Sequence, residues 1–139
     1  MKISLLEVRS KGLRCPDYNL DLIKNGQKKI SLIQMPNGVG KTTTLNLFRS
    51  CFYDKKWNQN EIKSLQRRGE INKKGSFVLK ISLDKEIYWI ELNFDFEKNS
   101  VKYFTTGSEG KKEGFHLPDQ IVNIVDENFI NLLFFDLEF

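Results

Sequence analysis

Apolar residues at Ile3, Leu5 and Val8 separated by polar ones predict a strand at the start of the chain. Turn chemistry at Lys11–Gly12 and Cys15–Pro16–Asp17 precedes a second extended stretch, Tyr18–Ile23, so the opening reads as a hairpin. Lys24–Asn25–Gly26–Gln27 breaks it, and Lys29–Gln34 forms a short β-rich run that ends at Met35–Pro36, where proline cannot donate to a ladder. Leu45, Phe48 and Phe52, with Leu47 and Cys51 beside them, then recur at spacings of three and four, which predicts a helix over about Lys41–Phe52. Farther on the period changes to two. Phe77, Leu79, Ile81 and Leu83 share one face, and Tyr88, Ile90, Leu92, Phe94 and Phe96 share another. With turns at Asp84–Glu86 and Glu97–Ser100, Phe77–Thr105 reads as an antiparallel meander, followed by a loop over Thr106–Gly114. Pro118 and Asp119 suit a helix start, with Ile121, Val122, Val125 and Phe129 on its buried side.

Composition narrows the class. At 139 residues, 40% apolar and 29% charged, the chain suits one globular domain. No apolar run approaches the roughly 20 residues that cross a bilayer, and the first residues do not build a signal-peptide core, so a cytoplasmic protein without a membrane partner is expected. Cys15 and Cys51 are too few for a disulfide framework, and no Cys/His spacing fits structural zinc. The single histidine, His116, argues against nucleophile–histidine catalysis. The net charge is only +4, but it is unevenly spread. Lys55, Lys56, Lys63, Arg67, Arg68, Lys73 and Lys74 face only Glu61 and Glu70 in the same stretch, which admits two readings, a phosphate-facing surface or a solvated loop.

Seven of the ten residues in Ile130–Phe139 are apolar, unlike the polar, frayed ends of most chains. The expectation is that a C-terminal continuation or a second chain covers this segment.

Chemistry concentrates at Pro36–Asn37–Gly38–Val39–Gly40–Lys41–Thr42–Thr43, between the expected strand and the expected helix. Gly38 and Gly40 let successive N–H groups of Asn37, Gly38, Val39 and Gly40 point at phosphate oxygens, and the helix adds its positive end. Lys41 would reach the β- and γ-phosphates, Thr42 would be a Mg²⁺ ligand, and Thr43 is placed for the α-phosphate. Met35 stands where the full phosphate-loop pattern has its first glycine.

These residues, with a strand–turn–strand before them and a meander after, resemble the N-terminal lobe of an ABC-type ATPase head of the SMC class, whose relatives include RecF-like proteins and DndD-type ATPases of DNA sulfur modification. The resemblance implies an α/β P-loop NTPase lobe with an antiparallel β subdomain, incomplete without a C-terminal lobe. Strands, phosphate loop and helix would occupy residues 1–54, a basic insertion 55–75, the meander 76–106, and a loop, helix and lobe-exit segment 107–139. It also implies ATP and Mg²⁺ as cofactors, a head-to-head homodimer, and ATP hydrolysis in the whole protein but not in this chain alone. The expected partners are DNA and a nuclease or accessory subunit, in DNA repair, DNA modification or phage defence. Duplex binding by such heads favours DNA contacts from Lys55–Lys74, and Arg9, Lys11 and Arg14 become candidates for base or phosphate contacts. Asp136 admits three readings: a Walker B metal ligand with Glu138 polarising water, a glutamine-loop position as in the Phe-Phe-Asp-Gly-Glu segment of DndD-type proteins, or an exposed acid on a core segment. A non-hydrolysing nucleotide-gated scaffold and a small P-loop kinase remain open as alternatives.

Overall fold

A computed structural model describes residues 3–22, 41–67 and 73–118 of the protein. Its elements are β1 (Ile3–Lys11), β2 (Tyr18–Asp21), α1 (Lys41–Ser50), α2 (Gln59–Ser64), β3 (Lys74–Leu83), β4 (Glu86–Asp95), β5 (Ser100–Gly107) and β6 (Gly110–Glu113). The strands form one six-stranded sheet in the order β2-β1-β3-β4-β5-β6, and every neighbouring pair is antiparallel.

This corrects the expected α/β P-loop NTPase lobe: the described residues build an antiparallel sheet with two short helices. The cause lies in the connections. From β3 onward each strand follows its predecessor through a tight turn, and a tight turn can return the chain only antiparallel, whereas parallel neighbours need a long crossover. Asp84, at φ +55°, and Asn99, at φ +49°, supply the left-handed corners of the first two turns, a conformation that short polar side chains tolerate. Asp95 Oδ1 closes the second turn by accepting from the N–H groups of Glu97 (3.0 Å) and Lys98 (3.1 Å).

The period-two pattern sets which face is buried. Phe77, Leu79, Ile81 and Leu83 of β3 and Ile90, Leu92 and Phe94 of β4 point into one core with Val8 of β1 and Tyr103 of β5. Against this face α1 buries Leu47 and Phe48, and the chain just after it buries Cys51 and Phe52; Phe48 meets Phe77 edge-on at 5.5 Å between ring centroids. Each such side chain contributes about 1.5–3 kcal/mol relative to exposure. The opposite face of the sheet carries no helix among the described residues and holds Arg9, Ser76, Lys80, Trp89, Asn93 and Lys102.

Two segments differ from their expectation. Thr106–Gly114 is not a plain loop, because β5 runs to Gly107, Gly110 takes φ +99°, and Gly110–Glu113 returns as β6. The basic stretch after α1 is partly core: Asn58 caps α2 by accepting from Glu61 N–H at 2.8 Å, and Ile62 and Leu65 are buried. The strand expected over 29–34, the helix expected from Asp119 and the apolar segment 130–139 lie outside the described residues.

Candidate functional site

α1 begins at Lys41, the lysine of the phosphate-loop pattern, and its first turn holds no acidic residue to offset the positive helix end. Lys41, Thr42 and Thr43 therefore open a helix, while Asn37, Gly38, Val39, Gly40 and Asp136 lie outside the described residues. Thr44, in the same turn, is buried, and Tyr18 of β2 donates its hydroxyl to Thr44 Oγ1 at 3.2 Å. At the other end, Tyr103 of β5 donates to the Ser50 carbonyl at 3.1 Å, and Trp57 Nε1 donates to the Tyr103 hydroxyl at 3.1 Å. Two tyrosines thus hold α1 to the sheet at both ends. Burial pushes both phenols up from their ordinary value, so neither ionises near neutrality.

The cysteines are buried as well. Burial raises the Cys51 thiol, which makes it inert, and Cys15 Sγ shares a 3.1 Å hydrogen bond with Ser10 Oγ.

The basic stretch 55–74 is a cluster in sequence and scattered in space. Lys55 pairs with Glu61 at 2.7 Å and lies 4.9 Å from the Trp57 ring centroid. Arg67 is half-buried against the β1–β2 turn: its Nε donates to the Leu13 carbonyl at 2.9 Å, and Nη2 donates to the Cys15 carbonyl at 3.4 Å and pairs with Asp17. Lys73 pairs with Glu97 at 3.2 Å, Lys56 and Lys63 are exposed, and Arg68 lies outside the described residues. Lys74 opens β3 on the outer face. Of the early cations, Arg9 pairs with Glu7 at 2.7 Å and lies 4.9 Å from the Trp89 ring centroid, whereas Arg14 is exposed and its N–H donates to the Leu65 carbonyl at 2.7 Å.

Lys11 and Lys74 meet two lysines that sequence order hides. An open trough of about 880 Å³ crosses the outer face where β1 ends and β3 begins, and Lys11, Lys74, Lys98 and Lys102 all line it. Ser76 and Asn93 also line it, and Phe104 closes one side. Its two carboxylates are already engaged: Asp95 in the β4–β5 turn, and Asp17 with the Gly12 N–H at 2.9 Å and with Arg67. The Gly12 hydrogen bond and then the Arg67 guanidinium hold the Asp17 carboxyl below its ordinary value. Among the described residues none of the four lysines takes part in an ion pair. Lys102 lies in the polar phase of the β5 alternation and Lys98 in the β4–β5 turn, but only strand register brings them to Lys11.

Among the described residues no group of three or more His, Cys, Asp or Glu side chains could hold a metal ion, and no helix is long and apolar enough to cross a membrane. Compared with known proteins, the chain matches no family model and no curated protein.

Proposed function

We propose that the chain binds ATP·Mg²⁺ as the nucleotide-binding part of an SMC-like ATPase, and that nucleotide binding and hydrolysis are coupled there to nucleic-acid binding. One observation carries the reading: the run Asn37–Gly–Val–Gly–Lys–Thr–Thr43 leads straight into α1, whose first residue is Lys41 and whose first turn is free of acids. Phosphate capture by a glycine-rich turn and a helix end is local chemistry. It requires N–H groups converging on an anion and does not depend on the order of the sheet behind them. The buried anchoring of α1 by Phe48, Thr44 and Ser50 supports it, since a helix end held in place loses little entropy when a phosphate arrives.

In this reading Lys41 neutralises the β- and γ-phosphates, Thr42 donates a hard oxygen to Mg²⁺, and Thr43 contacts the α-phosphate. Asp136 is the proposed second metal ligand. A second copy and a C-terminal lobe are the proposed partners, with a nuclease or accessory subunit as the effector. A nucleotide-gated scaffold that does not turn over is the second reading, favoured by Met35 at the first glycine position. Titration calorimetry with ATP and Mg²⁺ on the wild type and Lys41→Ala tests the proposal. Saturable binding lost in the variant supports it, and equal affinities reject it. Phosphate release with and without DNA then separates ATPase from scaffold.

A further inference from the structure

The outer face of the sheet carries a transverse row built by register. Lys11 of β1 is the partner of Ser76 of β3, Ser76 of Asn93 of β4, and Asn93 of Lys102 of β5. With neighbouring strands about 4.8 Å apart, the two lysines stand roughly 14 Å from each other, bridged by a hydroxyl and an amide. Lys74 and Lys98 flank this row in the same trough of about 880 Å³. All four lysines are exposed, and none takes part in an ion pair among the described residues.

From this arrangement we infer that the trough is a binding surface for the phosphodiester backbone of a nucleic-acid duplex. The inference deepens the nucleic-acid half of the proposed function and rests on that reading for its biological sense, while its location is independent of the phosphate loop. Three features select the occupant. The trough is an open channel across four strands, too open to enclose a small ligand on most sides. Its donors are lysine, serine and asparagine, the mixture that contacts phosphate and sugar and leaves bases unread. The nearby aromatic faces are already taken by cations: Arg9 and Lys80 lie 4.9 and 5.0 Å from the Trp89 centroid, and Lys111 lies 4.6 Å from that of Phe104. Covered rings give no platform for stacking unpaired bases, so a single strand gains nothing over a duplex.

The trough also moves the expected nucleic-acid surface. Among the described residues of 55–74 only Arg67 and Lys74 line it, and the Arg67 guanidinium is already engaged with Asp17 and the Leu13 and Cys15 carbonyls. Lys98 and Lys102 join it from the far side of the meander.

The test is a fluorescence-anisotropy titration of the full chain, without nucleotide, against a labelled mixed-sequence duplex over a salt series. Lys11→Gln/Lys74→Gln/Lys98→Gln/Lys102→Gln should weaken binding at least ~10-fold and flatten the log–log salt slope by about 0.9 per lysine removed. Lys85→Gln/Lys112→Gln, two exposed lysines elsewhere, should change both far less than Lys11→Gln/Lys102→Gln, which removes the same charge from the trough. Near-UV circular dichroism of all three variants checks that the sheet is intact; these lysines pack into no core, so all should match the wild type. Equal losses in the two double variants, an unchanged salt slope, tighter binding of the single strand than of the duplex, or no duplex binding by the wild type would each overturn the trough. Polyglutamate competing as well as unlabelled duplex at equal charge would overturn it in favour of an acidic peptide. Because no nucleotide is present, a failure of ATP binding in the calorimetry leaves this result intact, and the two ideas fail separately.

Discussion

Arg67 donates its Nε–H to the carbonyl of Leu13, 54 residues earlier, at 2.9 Å. The same guanidinium reaches the Cys15 carbonyl and Asp17, so one side chain after α2 fixes the whole turn between β1 and β2. Arg67→Ala should cost about 1–2 kcal/mol, mostly from the stranded carbonyls, since the Asp17 pair is half exposed and screened. Lysine has no planar fork, so Arg67→Lys should recover little of that loss in urea denaturation.

The Asp17 carboxylate makes part of this stability dependent on pH. Its folded value lies below the ordinary 3.8, so its contribution is full above 3.8 and disappears as the pH falls through the folded value. Wild type and Asp17→Asn should therefore differ in stability at neutral pH and converge in acid. A constant gap between their acid-unfolding curves would remove the linkage.

Tyr103 joins β5 to α1 and to the α1–α2 connection through one hydroxyl, accepting from Trp57 and donating to Ser50. Tyr103→Phe should destabilise by about 1–2 kcal/mol, because a buried carbonyl and an indole N–H both lose their partner. A shift in Trp57 fluorescence in the folded state should accompany the loss. Tyr18→Phe removes only the bond to Thr44 and should cost less, about 0.5–1 kcal/mol.

Gly12 sits at φ +69°, and a Cβ there would lie 2.7 Å from the Lys74 carbonyl oxygen. Gly110 has φ +99° with open space around it. Gly110→Ala should thus cost only backbone strain, about 1–2 kcal/mol, while Gly12→Ala adds a collision with β3 that must be relieved by moving a strand. Thermal melts should rank Gly12→Ala clearly below Gly110→Ala.

If the proposed nucleotide site is right, Lys41→Ala abolishes ATP binding, because it removes the charge that neutralises the phosphates, and leaves the melting temperature within a degree or two of wild type, about 0.5 kcal/mol. Thr42→Ala should instead lower the Mg²⁺ dependence of binding.

Much of the meander could be read from alternation, because burial on one face writes itself into every second residue: Phe77, Leu79, Ile81 and Leu83 are all buried. α1 was legible from its own period, with Leu47 and Phe48 on its inner side. β6 left no such trace, since all four of its residues are exposed. Nor did the sheet order. That β1 lies against β3 is decided by long-range packing, at the close approach where a Cβ on Gly75 would come 3.0 Å from the Gly12 carbonyl. The α/β expectation rested on a resemblance carried mainly by one local motif, which does not determine how the strands around it pair. The trough was invisible for a related reason, as Lys11, Lys74, Lys98 and Lys102 become neighbours only once four strands are in register.

That same β1–β3 pairing sets an order of events during folding. β3 to β6 are joined by tight turns and can zip together from local contacts, whereas Lys11 must find Ser76 across the whole of α1 and α2. Closing that long loop costs entropy before any of its bonds is made. Pulsed hydrogen exchange should accordingly protect the amides of β4 and β5 first and those of β1 last. The lysine row, which needs β1 in place to join Lys11 to Lys102, is then a late-assembled surface.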